Sequence, residues 1–108
     1  MRDDSKGGAL TEVTFLILLS LYQPRHGYAV MQEIEEWTKG RLRLGAGTLY
    51  GALNTLRKKG WIAPYGAKEN RKNEFIITEN GKQAAEAECL RLKQVLSLAE
   101  NTLRGKES

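Results

Sequence analysis

The chain has 108 residues, 41% of them hydrophobic, which suits one folded domain with a modest core and is too apolar for a disordered chain. Its formal net charge is +4, and a single cysteine, Cys89, excludes an intrachain disulfide and with it a secreted, disulfide-stapled fold. The longest apolar run, Phe15–Leu19, is far below the ~20 residues of a membrane span and no signal peptide is evident, so we expect a cytoplasmic protein without membrane contact.

The first predicted helix follows a loose polar stretch, residues 1–9, and runs from about Thr11 to Tyr22. Thr11 can cap its start, and Pro24 prevents it from continuing. Apolar side chains cover both sides of this helix, and a domain of this size can bury only one of them. We therefore expect a second subunit to cover the other side, which carries Phe15, Leu18, Leu19 and Tyr22.

A second helix, about Gly27–Thr38, follows a turn at His26-Gly27, and a third helix ends at Gly60, a residue type that often terminates helices in the left-handed conformation. Two strand-like pieces, Trp61–Tyr65 and Glu74–Thr78, then form a predicted β-hairpin with a polar loop. Three helices followed by a hairpin is the order of elements in a winged helix-turn-helix domain. The predicted fold is therefore mainly α-helical with a small β-hairpin.

The last predicted helix spans residues 79–105 and extends the winged helix-turn-helix domain of residues 10–78. Apolar residues recur along it at alternating spacings of four and three, which is the seam of a coiled coil. At roughly 39 Å, such a helix is too long to lie entirely on so small a core. We expect its seam and the first helix to build a dimer interface; the alternative is that the seam packs only on its own domain. The seam consists of Ala85, Cys89, Leu92, Leu96, Ala99 and Leu103.

The third helix has two dissimilar faces. At 100° per residue, one side collects the apolar residues Leu49, Ala52, Leu53 and Leu56, which we expect in the core. The opposite side has no large aliphatic side chain, and a central glycine lets the backbone approach another surface closely. Such a face suits a helix that enters the major groove of DNA, where asparagine can read adenine and the other side chains can meet phosphates or base edges. The outward set is Gly47, Gly51, Asn54 and Lys58, with Tyr50 and Thr55 on its two flanks.

Basic residues are concentrated in one third of the chain. Between Lys39 and Lys72 there are nine Lys or Arg residues and one acid, Glu69, whereas the remainder has eight basic and twelve acidic residues. This distribution is typical of a surface that binds a polyanion, although a solvated basic face is the alternative. The hairpin loop supplies a second basic patch beside the third helix, for the DNA backbone or minor groove. The loop patch comprises Lys68, Asn70, Arg71 and Lys72.

The residues for catalysis or metal binding are missing from the sequence. His26 and Cys89 are the only histidine and cysteine, which is too few for a tetrahedral zinc site of the usual kind. His26 has no nucleophile near it in sequence, and we interpret it as a structural or capping residue. Gly45–Gly51 lacks the glycine spacing and the preceding strand of a phosphate-binding loop. We therefore predict no enzyme activity, no cofactor and no metal.

Five short motifs, in this order and spacing, together resemble the PadR family of bacterial transcription regulators, and more narrowly its short members with a single C-terminal helix. The resemblance covers residues 7–104. The motifs are Gly7-Gly-Ala-Leu-Thr-Glu12, His26-Gly-Tyr28, Gly47-Thr-Leu-Tyr-Gly-Ala-Leu53, Lys59-Gly-Trp-Ile62 and Ile77-Thr-Glu-Asn-Gly81.

The resemblance implies a winged-helix homodimer, usually a repressor, that binds an inverted-repeat operator. It implies that the helix carrying Thr48, Leu49 and Tyr50 contacts DNA and that the basic wing residues Arg71 and Lys72 hold the DNA backbone. Tyr28 occupies the family's His-Gly-Tyr position, where we expect packing first and phosphate contact second. The wing sequence of this chain, Glu69–Glu74, is less basic than the family's usual pattern.

Some members of the family hold flat aromatic molecules between subunits, and one type depends on a tryptophan in the C-terminal helix. Here that helix has no aromatic residue, so a stacking pore of that kind is not expected. Trp37 is the alternative lining residue, although a tryptophan at helical spacing is more often part of the core.

The sequence thus predicts a DNA-binding transcription regulator that acts as a homodimer on a palindromic operator in double-stranded DNA. Repression follows from occupying a promoter, and a small hydrophobic effector is expected to release the protein by tilting its two protomers. The alternative from another class is a winged-helix protein-interaction module with weak or non-specific DNA binding, which would tolerate charge reversal at Lys58 and Arg71.

Overall fold

Helix α1 (Glu12–Ser20) begins after Thr11, as predicted. The Thr11 hydroxyl accepts a hydrogen bond of 3.1 Å from the Thr14 amide and so satisfies one of the free N–H groups at the helix start. The helix ends two residues before Tyr22, where the sequence predicted its end. The computed structural model describes residues 8–66 and 73–105, so most of the predicted loose N-terminus lies outside the described residues.

Helices α2 (Gly27–Trp37) and α3 (Ala46–Lys59) lie close to their predicted positions. Gly60 ends α3 with φ +80°, in the left-handed region that an L-residue with a side chain rarely adopts. The prediction of a helix-ending glycine at this position is therefore confirmed.

The sheet has one strand more than the sequence predicted. Strands β2 (Ile62–Pro64) and β3 (Glu74–Ile77) form the predicted antiparallel hairpin. In addition, β1 (Arg25–His26) pairs antiparallel with the other edge of β3, giving the order β1-β3-β2. The predicted turn at His26-Gly27 is thus corrected to a short strand that passes directly into α2. Two residues are too few to show the alternation by which a strand is recognised in a sequence.

The core fills the space between α1, α2, α3, the sheet and the start of the last helix. It contains Ile17, Leu18, Leu21, Val30, Ile34, Leu49, Leu53, Leu56, Ile62, Ile77 and Ala85. Leu18 was expected at the dimer interface, but its exposed fraction is 0% within the protomer, so that prediction is wrong. Both sides of α1 are apolar, and the sequence pattern could not show which side the protomer's own core would cover.

Helix α4 (Glu79–Leu103) is capped by Thr78, whose hydroxyl accepts a hydrogen bond of 3.1 Å from the Gly81 amide. Its first turn lies tightly against the end of α3 and the hairpin, because a Cβ at Gly81 would overlap the carbonyl oxygen of Trp61. Only Gly81, Ala85 and Glu88 of this helix are buried, and its second half extends away from the body. The molecule is consequently elongated, with extents of 59 × 28 × 22 Å. None of the described helices is both long and apolar enough to cross a membrane.

Candidate nucleic-acid interface

The outward face of α3 has the composition that its periodicity predicts. Leu49, Leu53 and Leu56 are buried, Ala52 is half-buried, and each predicted outward residue is exposed. Those exposed residues are Gly47, Tyr50, Gly51, Asn54, Thr55 and Lys58; Thr48, which the family resemblance implies as a DNA contact, is exposed as well. A continuous polar face with small residues at its centre therefore stands free on the protomer.

Two glycines on this face have no packing role inside the protomer. A Cβ added to Gly47 or Gly51 would meet no heavy atom within 4 Å. A glycine in a helix interior costs roughly 1 kcal/mol relative to alanine, so the fold alone gives no reason for Gly51. Together with the start of α1, the two glycines line a shallow groove of about 430 Å³ whose other walls include Val13 and Ala52.

Tyr50 stands on the flank of α3 that faces the first turn of α2. Its side chain is 46% exposed, and its hydroxyl end packs on Gly27, the first residue of α2. Tyr28, the next residue of α2, is also exposed. The contact brings together two segments that are distant in the sequence, the first turn of α2 and the first half of α3.

The base of the hairpin is tied to the same region. His26 in β1 lies opposite Glu74 in β3, and the distance from its Nε2 to a Glu74 carboxylate oxygen is 3.3 Å. His26 precedes α2 but makes no side-chain hydrogen bond that caps this helix. Among the described residues, its side chain instead contacts Glu74. The predicted DNA-contacting residues of the loop, Lys68, Arg71 and Lys72, lie outside the described residues, as does Asn70.

Some of the positive charge counted in the basic third of the chain is neutralised. Arg41 makes a bidentate contact with Glu12 in the first turn of α1, and Arg43 lies 3.2 Å from a carboxylate oxygen of Glu35 in α2. The hydrogen bonds from Arg41 lower the pKa of Glu12 below its ordinary value. Both acids precede the basic segment in the sequence, so the charge count could not show these pairs. Within the described ranges, Lys58 has no such ion pair and remains available.

The exposed apolar surface of α4 is wider than the predicted seam. Cys89, Leu92, Leu96 and Leu103 are exposed and Ala99 is half-buried, on the face that continues the line of the buried Gly81, Ala85 and Glu88. On α1, Phe15 and Leu19 are half-buried and Tyr22 is exposed.

The predicted seam did not include Leu90, Val95 and Leu98, which are also exposed apolar residues of α4. Val95 and Leu98 extend the apolar arc of α4 to roughly 180° at 100° per residue. They lie outside a strict four-three repeat, and a wider helical stripe would have found them in the sequence.

The sequence analysis also did not predict that an acidic side chain near this surface, Glu88, is buried. Glu88 is 3% exposed, and its carboxylate accepts hydrogen bonds from Arg91 Nε at 2.8 Å and from the Leu10 amide at 3.2 Å. The Arg91 hydrogen bond, chiefly, holds the pKa of Glu88 below its ordinary value. The spacing of three between an acid and an arginine on one helix was the available signal.

Glu88 forms part of the wall of a cavity of about 440 Å³ between α1 and α4. The other lining residues are Leu10, Glu12, Phe15, Leu16, Arg91 and Leu92. Trp37, considered from the sequence as a cavity residue, is exposed on α2 and does not line this space. In the part of the chain that the structure describes, no three His, Cys, Asp or Glu side chains lie close enough to hold a metal ion.

A comparison with protein families shows that the profile described as "Transcriptional regulator PadR-like family" matches residues 15–87, which run from α1 into α4. The chain belongs to this family. The resemblance expected from the five short motifs is therefore confirmed.

Known PadR-like and related proteins show the same arrangement of elements. A transcriptional regulator from Clostridium thermocellum has 26% sequence identity and a TM-score of 0.73, over 82% of this chain and 87% of that one. A PadR family transcriptional regulator from Eggerthella lenta has 21% identity and a TM-score of 0.68, over 88% of this chain and 83% of that one. RosR of H. salinarum has 24% identity and a TM-score of 0.63, over 89% and 96%. The winged-helix fold of PadR regulators is thus confirmed for this chain.

Among curated proteins, an uncharacterized 37.1 kDa protein in transposon TN4556 of Streptomyces fradiae is 38% identical over 79 residues. The match covers 72% of this chain, which spans only 22% of the length of that relative. The region that the family profile matches, residues 15–87, contains the start of α2 and the whole of α3. The contact of Gly27 with Tyr50 therefore lies inside that region.

Proposed function

We propose that this protein is a DNA-binding transcription regulator that inserts α3 into the major groove. The observation that carries the proposal is the outward face of α3, which is exposed, lacks large aliphatic side chains and has two glycines to which a Cβ could be added without meeting another atom. A helix with such a face can approach base edges closely, and a basic residue at its end, Lys58, can meet a phosphate.

The proposed contacts divide by their chemistry. The amide group of Asn54 has a donor and an acceptor that complement the N7 acceptor and N6 donor of adenine in the major groove. Thr48, Tyr50, Thr55 and Lys58 supply hydroxyl and ammonium groups for phosphates or base edges, with Gly51 between them at the point of closest approach. Tyr28 and the wing residues Lys68, Arg71 and Lys72 are assigned to the DNA backbone beside the same groove.

The proposed active unit is a homodimer on an inverted-repeat operator. The exposed leucines of α4 form an apolar surface that a lone protomer leaves uncovered, and Leu96 at 57% exposed lies about halfway along it. A second copy, contributing its own α4 and the surface of α1 that carries Phe15, Leu19 and Tyr22, covers this surface in the proposal. Such a dimer can set two α3 helices about 34 Å apart, one turn of DNA.

Repression by occupying a promoter is the proposed mode of action, in the cytoplasm of a bacterial cell. A small hydrophobic effector is assigned to the cavity between α1 and α4, since its apolar walls are Leu10, Phe15, Leu16 and Leu92. Because this cavity adjoins the proposed dimer interface, an occupant that favours one arrangement of the protomers shifts the distance between the two α3 helices.

Fluorescence anisotropy with two duplexes of equal length tests the proposal, one from upstream of the protein's own gene and one scrambled. Titrations at two salt concentrations separate specific from purely electrostatic binding. We expect about 10³-fold preference for the upstream duplex and a steep loss of affinity as salt rises. Lys58→Glu abolishes binding in the proposal, and Lys93→Glu, the same charge change on α4, does not.

Two results contradict the proposal. Unchanged binding by Lys58→Glu would show that α3 is not the element in the groove. Equal, weak binding to both duplexes, followed by failure to enrich any sequence from a random pool, would favour a protein-interaction module instead.

A further inference from the structure

Gly27 is buried at the first position of α2, and the side chain of Tyr50 occupies the space that a Cβ at this position would need. A Cβ at this position would lie 2.6 Å from the hydroxyl oxygen of Tyr50, 2.8 Å from its Cζ and 3.1 Å from its Cε1. The backbone itself does not require glycine, because Gly27 is not among the residues with positive φ. The three closest contacts that a Cβ would make here are therefore all with the side chain of Tyr50.

The obstacle at Gly27 is the far end of a flexible side chain. This distinguishes it from Gly81, where a Cβ would overlap the backbone carbonyl of Trp61. An alanine at position 27 can be accommodated by rotation of Tyr50, whose side chain is 46% exposed and has solvent to move into. The residue at position 27 thus determines the orientation of Tyr50 without being needed for the stability of the core.

The same three-residue segment also holds the base of the wing. His26 pairs with Glu74 at the start of β3, and Gly27 receives Tyr50 from α3. Of the two elements assigned to DNA, the wing therefore contacts residue 26 and α3 contacts residue 27. A Tyr50 ring fixed on this segment keeps a set position relative to the strand that leads out of the wing loop.

We propose that Gly27 is a positioning residue for DNA binding: it forms the seat on which the Tyr50 ring is held in its DNA-contacting orientation. The inference rests on the proposed function, since it takes Tyr50 as a DNA contact. Gly27 itself touches no DNA in this proposal, and its effect passes entirely through Tyr50.

A double-mutant cycle of Gly27→Ala and Tyr50→Ala tests the proposal. The probe is a duplex enriched from a random pool by the wild-type protein, and the readouts are its Kd and the Tm of each variant without DNA. We expect Gly27→Ala to weaken binding about tenfold while its Tm stays within about 3 °C of the wild type. In the Tyr50→Ala background, the same substitution changes Kd less than about twofold, because the ring that it displaces is absent.

A spectroscopic readout follows the ring without DNA. In protein labelled at tyrosine, the NMR ring signal of Tyr50 is identified by its loss in Tyr50→Ala. Gly27→Ala is expected to shift this signal far more than those of the other three tyrosines, Tyr22, Tyr28 and Tyr65.

The outcomes separate this inference from the function on which it rests. If Tyr50→Ala weakens binding and Gly27→Ala does not, the positioning role of Gly27 is wrong, whereas the DNA contact of Tyr50 is supported. If Gly27→Ala weakens binding equally with and without Tyr50, the effect does not pass through the ring and the proposal is overturned. If Tyr50→Ala binds like the wild type, the contact assigned to Tyr50 is wrong and the positioning role falls with it.

Discussion

At the scale of single residues, two helical glycines with opposite surroundings make a direct comparison. A Cβ at Gly81 would overlap the Trp61 carbonyl oxygen and lie 2.7 Å from Ile77 Cγ1, whereas a Cβ at Gly51 would meet nothing within 4 Å. Gly81→Ala is expected to destabilise the fold by about 3 kcal/mol and lower Tm by roughly 10 °C or more, since backbone must move. Thermal unfolding followed by circular dichroism measures both variants.

Gly51→Ala is the matched control for this prediction. It is expected to stabilise α3 by up to about 1 kcal/mol, because alanine is the better helix former and has free space. Its affinity for DNA should nevertheless fall, since the added methyl group stands on the face proposed to enter the groove. Equal Tm values for Gly81→Ala and Gly51→Ala would contradict the described packing of α4 on Trp61.

The buried carboxylate of Glu88 predicts a dependence of stability on pH. The Arg91 hydrogen bonds lower the pKa of Glu88 from 4.5, so the folded state holds the charged form more favourably than the unfolded chain does. This stabilisation is fully present above pH 4.5 and is lost as the pH falls through the lowered pKa of the folded state. Glu88→Gln should lower Tm at pH 7 by roughly 5–10 °C and by much less near pH 3.

Glu12→Gln provides the comparison for Glu88. The pKa of Glu12 is also lowered by an arginine, Arg41, but both partners are exposed. Water screens such a pair, so the substitution should change Tm little at either pH. A Tm of Glu88→Gln that runs parallel to the wild type across the whole pH range would contradict the assigned role of the buried carboxylate.

Residue positions within α3 could be predicted from the sequence because burial there follows a simple period. One polar face and one leucine face leave a single arrangement of the helix on the core. The same reasoning failed for Leu18, because α1 has apolar residues on both sides. The partners of Arg41 and Arg43 were also missed, since Glu12 and Glu35 approach them only after the chain has folded.

At the scale of elements, α4 carries the sharpest prediction about assembly. Leu96→Glu places a charge within its exposed apolar arc, about halfway along the exposed part of the helix, and is expected to convert a homodimer into monomers, as sedimentation velocity would show. Gln94→Glu introduces the same residue two positions away, outside that arc, and should leave the dimer intact. A dimer in both variants would remove α4 from the proposed interface.

Helices and their caps were largely predictable because their signals are local. Thr11, Thr78 and Gly60 act at the positions that their residue types indicate. Strand β1 was not predictable in this way. Its pairing with β3 joins Arg25 to Phe75, residues that are far apart in the sequence. The pairing depends on the path that the chain takes after the end of α1.

At the scale of the whole molecule, the arrangement of charge predicts the salt dependence of DNA binding. Each phosphate contact contributes about 0.9 to the slope of log affinity against log salt, and a dimer carries two copies of every contact. Lys58→Ala is therefore expected to reduce the magnitude of that slope by about two in anisotropy titrations. Arg41→Ala should leave it nearly unchanged, because Glu12 already neutralises this arginine. Equal changes in slope for the two variants would contradict this division of the charge.

The second half of α4, which packs little on its own protomer, has a consequence for how the protein would act in a cell. Beyond Arg91 this helix has little of its own protomer beneath it, and the molecule is 59 Å long for that reason. Under the proposed dimerisation, the second half of the helix gains its packing only when two copies meet. While monomers predominate, the amount of dimer rises with the square of the amount of protein made. A promoter under such control responds to regulator abundance as a threshold, so that a twofold change in expression has about a fourfold effect on occupancy at low levels.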